Sequence, residues 1–244
     1  INWARIMAQI VYYVSSAIKL KAIKTPISFS VPTGNFGNVF AGFAALKMGI
    51  PIQTLLVSSN TNDILPRFFK SGEMKLDQVH ATVSPSMDIQ VSSNFERLLF
   101  ELSNRNGSRV KEYMEAFNLR GKYQVTTQEL AASKNIFHSA SYNDKQTIAE
   151  MLYWFEKTGM QIDPHTAVAL LAARENRSHV SEPMIVISTA HPAKFNTVVE
   201  QATGNPAILP NSIESLLNQH EYYSKLPNNV MYIKNFINDM LEST

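Results

Sequence analysis

The amino-acid sequence predicts an α/β protein, a three-layer sandwich in which a mainly parallel sheet is flanked by helices. Two strand-like runs, ISFSV and IPIQTLLVS, are separated by a glycine-containing loop and the helix-forming segment VFAGFAALKMG. Strand, helix and strand in this order form a βαβ unit, whose right-handed crossover makes the two strands parallel. The segments PMIVIST and AHPAKFNTVVEQATG repeat the passage from strand to helix.

The chain opens on a predicted helix that runs to about Lys21. Its apolar side chains recur at helical spacing, at Trp3, Met7, Ile10, Val14 and Ile18. No capping residue or turn is evident before this stripe, so we expect further sequence upstream. A native N-terminal helix with trimmed residues is the alternative.

The remaining elements are predicted in chain order. NTNDILPRFFKSG indicates a loop and a short helix, VHATVSPSMDI a strand and an exposed turn, and SSNFERLLFELS a helix capped by Ser92 or Ser93. Residues 104 to about 160 are predicted to form a helical excursion from the sheet. Asp163 then caps the helix of DPHTAVALLAAREN, and short helices follow around SIESLLNQ and VMYIKNFINDML. We expect one domain over residues 1–244.

Composition excludes several classes of function. The 244 residues are 45% apolar and 17% charged, which predicts a folded protein, and the net charge of +2 gives no case for nucleic-acid binding. There is no cysteine, and the histidines and carboxylates lack metal-ligand spacing, so no disulfide, thiolate site or catalytic metal is expected. No run approaches the roughly 18 apolar residues of a membrane span, and no signal-peptide pattern is present. We expect a cytoplasmic protein; its oligomeric state is not predicted.

The loop PTGNFGN joins the first strand to the second helix. Gly34 and Gly37 allow sharp turns and close approach of a ligand, and Asn35 and Asn38 tolerate unusual dihedral angles. Unpaired N–H groups and the helix dipole favour binding of an anion at the N-terminus of this helix, and phosphate is the anion most often bound there. The spacing matches neither the dinucleotide fingerprint nor the nucleotide P-loop. A purely structural glycine turn remains the alternative.

Further chemical side chains follow the strand PMIVIST. Ser188 and Thr189 end this strand, and each could be only a strand-end hydroxyl. Lys194 lies early in the next helix, against the local dipole, which suggests an anion partner; a solvated surface lysine is the alternative. His191 could contact the same anion or simply fix the loop.

Six short segments together resemble threonine synthase, a pyridoxal-phosphate enzyme of fold type II. They are INWARI, SVPTGNFGN, SPSMDI, SNFERLLF, DPHTAV and STAHPAKF, in the family's order and spread as far as Lys194. The resemblance implies the large, cofactor-binding α/β domain, with a smaller domain upstream. It also implies conversion of O-phospho-L-homoserine and water to L-threonine and phosphate, in threonine biosynthesis. The alternatives are another fold type II lyase, such as threonine dehydratase, or a catalytically dead module that binds phosphate or pyridoxal phosphate.

The resemblance also implies roles for particular residues. The phosphate of pyridoxal 5′-phosphate would be held by Gly34, Asn35, Phe36, Gly37 and Asn38. The pyridine nitrogen would face Thr189, with Ser188 as second choice, and a hydroxyl partner would leave that nitrogen essentially unprotonated. Substrate-side candidates are Asn2, Arg5, Asn94, Asp163, His165, Thr166, His191 and Lys194. The lysine that bonds the cofactor would precede INWARI, so the chain as printed is expected to be inactive.

Overall fold

A four-stranded parallel sheet lies at the centre of the computed structural model, which describes residues 2–22, 25–177, 182–214, 216 and 219–242. The strand order is β5-β2-β1-β6, and a separate antiparallel pair joins β3 to β4. The strands are β1 (Ile27–Pro32), β2 (Ile52–Ser59), β3 (Glu73–Lys75), β4 (Lys122–Gln124), β5 (Phe137–Ser141) and β6 (Met184–Val186).

Helices connect these strands. They are α1 (Trp3–Lys19), α2 (Gly37–Lys47), α3 (Ile64–Ser71), α4 (Phe95–Leu102), α5 (Gly107–Arg120), α6 (Thr127–Lys134), α7 (Asp144–Thr158), α8 (Pro164–Asn176), α9 (Asn196–Thr203), α10 (Asn211–Glu214) and α11 (Val230–Glu242). Short 3₁₀ turns cover Pro85–Met87 and Pro192–Phe195. Within the described residues, no helix is long and apolar enough to cross a membrane.

The two faces of the sheet bury different helices. Leu55 and Val57 of β2 join the cluster formed with α1 to α4, whereas Leu56 joins the cluster that contains Val168 and Leu171 of α8. This alternation follows from the two-residue period of a strand. The predicted α/β class, with a parallel sheet between helices, is confirmed.

The strand order reverses next to β1. From β1 the chain proceeds to β2 and β5 on one side, and β6 is then added on the other side of β1. The loops that leave β1 and β6 therefore diverge and open a crevice at their carboxyl ends. Ligands of open α/β sheets bind at such a switch point.

Several local predictions are wrong. Residues 104 to 160 are not purely helical, because β5 is an edge strand of the main sheet and β4 pairs with β3. Of the β5 side chains only Phe137 is buried, so the apolar signal of a strand is weak. The segment before Ser84 is irregular rather than extended into a strand, and Asn94, not Ser92 or Ser93, is the N-cap residue of α4.

Helix α1 also differs from its prediction. Its buried side chains are Ile6, Tyr13 and Ala17, whereas Trp3 and Met7 of the predicted stripe are about half exposed. The missing cap is Asn2, whose side chain accepts a hydrogen bond from the N–H of Ala4 at 2.8 Å. The 3.6-residue period of apolar residues indicates a helix, but it does not identify which of two neighbouring stripes is buried against the core.

The described residues fall into two compact units, divided between Ile208 and Leu209. The first contains the main sheet. The second contains α10 and α11, and α11 has no buried side chain. A single domain over residues 1–244 stays a prediction.

Candidate active site

A cavity of about 690 Å³ lies in the first unit, at the carboxyl ends of β1 and β6. Its walls are the loop after β1, the loop after β6, one face of α1, and parts of the segments around Ser86 and Asn94. The described lining contains two cations, Arg5 and Lys194, and no aspartate or glutamate. Neither cation has an ion pair within the described part of the chain. The cavity is therefore suited to anions.

The loop after β1 turns its backbone toward this cavity and one side chain into the core. Phe36 adopts a left-handed conformation, with φ of 60°, and α2 begins at the next residue. Phe36 as a whole is 1% exposed, and its ring packs edge-on against Phe95, with ring centroids 4.9 Å apart, and at a tilt against Phe137 at 5.8 Å. The side chain of Phe36 therefore belongs to the core and is not available to a ligand.

The backbone N–H groups of this loop are free of hydrogen bonds, whereas its carbonyl groups accept them. None of the five backbone N–H groups from Gly34 to Asn38 is hydrogen-bonded within the described residues. By contrast, the carbonyl of Gly34 accepts from the Ser92 hydroxyl at 2.8 Å, and that of Asn35 accepts from the Asn94 amide side chain at 2.9 Å. Free N–H groups at a helix N-terminus are the arrangement that binds phosphate.

Two side chains hold the ends of the loop. Asn94 is buried and uses both ends of its amide, because Arg97 donates to its oxygen at 3.2 Å. The Tyr13 hydroxyl donates to the carbonyl and side-chain oxygens of Asn38, each at 2.8 Å, and burial raises the pKa of Tyr13 well above its usual value. Asn94 is thus placed to fix the loop, and Asn38 keeps only its amide N–H groups for a ligand.

Gly34 is required by a close backbone approach. A Cβ atom at this position would lie 2.5 Å from the carbonyl oxygen of Ser86. No real Cβ atom comes so near to a backbone oxygen, so any larger residue would push the two segments apart.

The Ser86 segment is itself held by a partly buried hydrogen-bond network around Asp88. The Oδ1 atom of Asp88 accepts hydrogen bonds from the side chains of Asn60 at 2.7 Å, Asn62 at 3.0 Å and Thr82 at 2.7 Å. The Oδ2 atom of Asp88 accepts from the N–H of Thr82 at 2.9 Å. Asp88 therefore ties the Ser86 segment to the residues that follow β2. The sequence offers no local signal for this role, because Asn60 and Asn62 come from the end of β2, more than 25 positions away.

The DPHT segment is only partly in the cavity. His165 lines it, whereas Asp163 and Thr166 are buried behind the wall. The ring of His165 is fixed at both nitrogens: Nδ1 lies 3.0 Å from Asp163 Oδ1, and Nε2 accepts from the N–H of Ser86 at 3.1 Å. An unprotonated Nε2 means the neutral tautomer with its proton on Nδ1. Asp163 and Thr166, predicted on the substrate side, do not line the cavity.

The loop after β6 brings three predicted residues to the cavity and leaves one outside. Ser188, Thr189 and Lys194 line the cavity. His191 does not; its Nδ1 accepts from the N–H of Ala193 at 3.2 Å and caps the short turn that follows. The interpretation that His191 merely fixes the loop fits this geometry better than substrate contact.

One face of α1 adds polar side chains that the sequence prediction missed. Asn2 and Arg5 were predicted, and Gln9, Tyr12 and Ser16 continue the same face at intervals of three and four residues. The side-chain oxygen of Gln9 is buried and has no hydrogen-bond partner in the described structure. The periodic polar face would have identified all five.

No set of three acidic, histidine or cysteine residues in the described part of the chain could hold a metal ion. The chemistry available to the cavity is therefore that of amide donors, two cations, hydroxyl groups and one neutral histidine.

The chain is similar to known proteins both in sequence and in structure. A family model described as the C-terminal part of threonine synthase matches residues 166–237. The chain is 45% identical to threonine synthase of Pseudomonas aeruginosa, over 97% of this chain and 51% of that protein. It is 38% identical to threonine synthase of Corynebacterium glutamicum, over 100% and 52% respectively. The chain spans about half the length of the curated relatives it matches.

Solved structures give the same result. A crystal structure of PLP-bound threonine synthase from Brucella melitensis superposes with a TM-score of 0.94 at 40% identity, covering 98% of this chain and 51% of that one. A structure of threonine synthase from yeast superposes with a TM-score of 0.91 at 34% identity, covering 100% and 53%.

Proposed function

The chain belongs to the threonine synthase family, and from this premise we propose that it carries the cofactor-phosphate cradle and part of the substrate site of a pyridoxal-phosphate-dependent lyase. The proposed reaction converts O-phospho-L-homoserine and water to L-threonine and phosphate, as a step of threonine biosynthesis. The observation that supports it most is the row of free N–H groups from Gly34 to Asn38 beside a cavity without acidic lining residues among those described.

The residues present fit pyridoxal 5′-phosphate. The amides of the Gly34–Asn38 loop would hold its phosphate, and Thr189 or Ser188 would face its ring nitrogen from the end of β6. When bound, the cofactor supplies an electron sink for carbanions next to the substrate's amino group. The chain's own contribution is to orient the ring, bind charge and exclude water.

The substrate site needs cations beyond the phosphate cradle. O-phospho-L-homoserine carries a carboxylate and a second phosphate, and the unpaired Arg5 and Lys194 lie in the same cavity. Substrates of a threonine dehydratase carry no phosphate, so two free cations favour phosphohomoserine. Asn2 keeps its amide N–H groups available, because only its oxygen is used in capping α1.

His165 is proposed to shape the cavity rather than to move protons. Both of its ring nitrogens are already hydrogen-bonded, to Asp163 and to the N–H of Ser86. Proton transfer is left to the lysine that bonds the cofactor, which the proposal places outside the printed sequence. Lys194 is the lysine among the described lining residues, and its proposed partner is the substrate's phosphate.

The cradle is tested by calorimetry on the 244-residue chain. Pyridoxal 5′-phosphate should bind reversibly and compete with inorganic phosphate, whereas pyridoxal, which lacks the phosphate, should bind far more weakly. Equal affinity for the two compounds would contradict the proposal. Borohydride reduction followed by mass spectrometry should find no covalent adduct, and an adduct on Lys194 would mean that its role has been misassigned.

The reaction is tested on the product of the complete reading frame. We expect release of inorganic phosphate from O-phospho-L-homoserine together with formation of threonine, and no turnover of threonine itself. A protein that binds pyridoxal phosphate but turns over neither compound would be a binding module. The proposal includes a cytoplasmic location, which cell fractionation would check.

A further inference from the structure

Two carbonyl groups of the loop after β1 are held by the residues just before α4. The Gly34 carbonyl accepts a hydrogen bond from the Ser92 hydroxyl at 2.8 Å. The Asn35 carbonyl accepts from two donors of Asn94, its backbone N–H at 3.1 Å and its side-chain Nδ2 at 2.9 Å. Both carbonyls therefore point toward the start of α4, and these bonds fix the orientation of the two peptide groups that follow Gly34 and Asn35.

The orientation of these carbonyls determines where the next N–H groups point. In a planar trans peptide, the C=O of one residue and the N–H of the next point in opposite directions, and the peptides of the described residues are trans. The N–H groups of Asn35 and Phe36 therefore point away from the start of α4. They have no partner among the described residues, and both residues line the cavity. Rotation of either peptide would instead direct a carbonyl oxygen toward a bound anion.

Arg97 determines which way the Asn94 amide faces. Its Nε donates to Asn94 Oδ1 at 3.2 Å. Because a guanidinium has only donors and a carbonyl only accepts, the amide oxygen must face Arg97 and the amide nitrogen must face the Asn35 carbonyl. Without Arg97, the amide could rotate by half a turn and place its oxygen against the Asn35 carbonyl, where two acceptors would repel each other.

The position of Arg97 is unfavourable for α4 itself. It lies in the first turn of the helix, where a cation opposes the helix dipole, and it forms no salt bridge with the described residues. Its Cζ atom lies instead 5.6 Å from the centre of the Trp3 ring, within the range of a cation–π contact. The Trp3 ring and the Asn94 amide together hold the guanidinium, which does not line the cavity.

We propose that Arg97 is a positioning residue for the phosphate cradle: by orienting Asn94, it keeps the Asn35–Phe36 peptide turned so that its N–H faces the bound phosphate. This inference rests on the proposed function, in which the phosphate is that of pyridoxal 5′-phosphate. A simple surface charge would attract any anion without fixing a peptide group. The two roles differ in what they require of the side chain, since orientation needs an N–H donor and attraction needs a charge.

Two substitutions separate the donor from the charge. Arg97→Gln removes the charge but keeps an N–H donor, because Nε2 of glutamine is as many bonds from the backbone as Nε of arginine. Arg97→Met has a methyl group at that place and removes both the charge and the donor. Arg105→Met is the matched control, since the Arg105 side chain is 72% exposed, lies beyond the end of α4 and is paired with Glu101 at 3.0 Å.

The first measurement is calorimetric titration of the 244-residue chain with pyridoxamine 5′-phosphate, which carries the phosphate but no aldehyde that could react with lysines. Affinity should fall about tenfold in Arg97→Met, the effect of losing one charge-assisted hydrogen bond. It should change little in Arg97→Gln and in Arg105→Met. Pyridoxamine, which lacks the phosphate, should bind more weakly and with equal affinity to the wild type and all three variants.

The second measurement follows the N–H resonance of Phe36 in the ¹⁵N-labelled chain during titration with inorganic phosphate. An N–H that donates to phosphate moves downfield. This shift is expected in the wild type and in Arg97→Gln, and it should be much smaller in Arg97→Met. A merely structural role of Arg97 would leave this local shift intact at saturating phosphate, which would overturn the inference.

The outcomes separate this inference from the proposed function. If pyridoxamine 5′-phosphate does not bind the wild-type chain, the cradle and the inference both fall. If Arg97→Met binds it as tightly as the wild type does, or if Arg97→Gln loses as much affinity as Arg97→Met, the inference falls and the cradle stands. An equal loss of pyridoxamine affinity in Arg97→Met would also overturn the inference, because the effect would not belong to the phosphate.

A further variant covers the case in which Arg97→Met does not fold, as judged by circular dichroism. Asn94→Asp keeps an oxygen for Arg97 but places a second oxygen, which cannot donate, against the Asn35 carbonyl. Affinity for pyridoxamine 5′-phosphate should then be kept in Arg97→Gln and lost in Asn94→Asp. Any other result from this pair would overturn the inference.

Discussion

The cavity and the cluster around Glu129 differ in how far their polar groups are hydrogen-bonded. Glu129 accepts hydrogen bonds from the N–H and hydroxyl of Thr126 at 2.8 and 2.9 Å and from the Tyr113 hydroxyl at 2.7 Å, and Arg109 donates to Tyr113 at 3.1 Å. At the cavity, the backbone N–H groups of the four lining residues Asn35–Asn38, two cations and one amide oxygen have no partner among the described residues.

This difference distinguishes scaffold from site. Buried polar groups in folded proteins are normally hydrogen-bonded, because an unmade bond costs about 1–3 kcal/mol. A cluster whose bonds are all made contributes to the fold and has nothing left for a ligand. Unmade bonds that converge on one cavity are explained when a ligand completes them. Substitutions on the two sides should therefore have separate effects on affinity and on stability.

The largest effect on affinity is expected from Gly34→Ala. The new Cβ atom would meet the Ser86 carbonyl at 2.5 Å, and both partners are backbone, so the cradle must open. Affinity for pyridoxal 5′-phosphate, measured by calorimetry, should fall by about a hundredfold, near the upper end of the ~1–3 kcal/mol cost of overpacking. Gly107→Ala is the control, since nothing lies within 4 Å of its added Cβ. Unchanged affinity in Gly34→Ala would mean that the Gly34–Asn38 loop does not bind the cofactor phosphate.

A smaller effect is expected from Lys194→Gln. Loss of a charge-assisted contact should weaken binding of O-phospho-L-homoserine about tenfold, and the affinity of the wild-type chain should depend more steeply on salt. The measurement is a titration of chain saturated with pyridoxal 5′-phosphate. Lys19→Gln, at the end of α1 and away from the cavity lining, removes the same charge as a control. Equal losses in the two variants would reduce Lys194 to a general electrostatic role.

Gln9→Met should move stability and affinity in opposite directions. The substitution removes a buried oxygen that has no partner in the described structure, so the free energy of unfolding in urea should rise. Affinity for pyridoxal 5′-phosphate should fall about fivefold, the value of one neutral hydrogen bond, because the substitution also removes the amide N–H donors of Gln9, a residue that lines the cavity. Gln128→Met, at an exposed position of α6, should change neither quantity. A loss of stability in Gln9→Met would show that the amide belongs to the scaffold.

Glu129→Gln should leave affinity unchanged and lower stability. Burial alone would raise the pKa of Glu129, but hydrogen bonds from Tyr113 and Thr126 and the charge of Arg109 lower it on balance. A carboxyl with a lowered pKa stabilises the fold above its unfolded pKa, and this contribution is lost as pH falls through the folded pKa.

Urea unfolding at two pH values checks this last expectation. The difference between wild type and Glu129→Gln should be about 1–3 kcal/mol at pH 7 and should shrink toward pH 3. A difference that is the same at both pH values would mean that the charge of Glu129 contributes nothing, and a change in ligand affinity would break the separation of scaffold from site.

The sequence predicted the parts of the site whose signals are local. The unit of β1, α2 and β2 follows from composition and glycine placement, and the two cations Arg5 and Lys194, 189 positions apart in sequence, do line one cavity. The polar face of α1 was missed at Gln9 because the apolar stripe alone was considered. Strand β5 was missed because an edge strand need bury little.

Tertiary hydrogen bonds set the limit of that prediction. The role of Asp88 could not be predicted from the sequence, since its partners Asn60 and Asn62 are distant in sequence. Asp163 and Thr166 were placed on the substrate side because the DPHT stretch resembles that of the family, yet both lie behind the wall. Which residue of the first turn of α8 faces the cavity depends on how that helix packs on the sheet, and this cannot be determined from the local sequence.

The left-handed backbone at Phe36 has a further consequence for how fast a ligand can be captured. A bulky residue in this conformation costs of order 1–3 kcal/mol, and the aromatic contacts with Phe95 and Phe137 hold it in place. The loop is therefore already ordered in the unliganded chain, and binding of an anion costs little further conformational entropy. Association should then be a simple docking event at a rate set by diffusion and steering, with no slow ordering phase in stopped-flow traces.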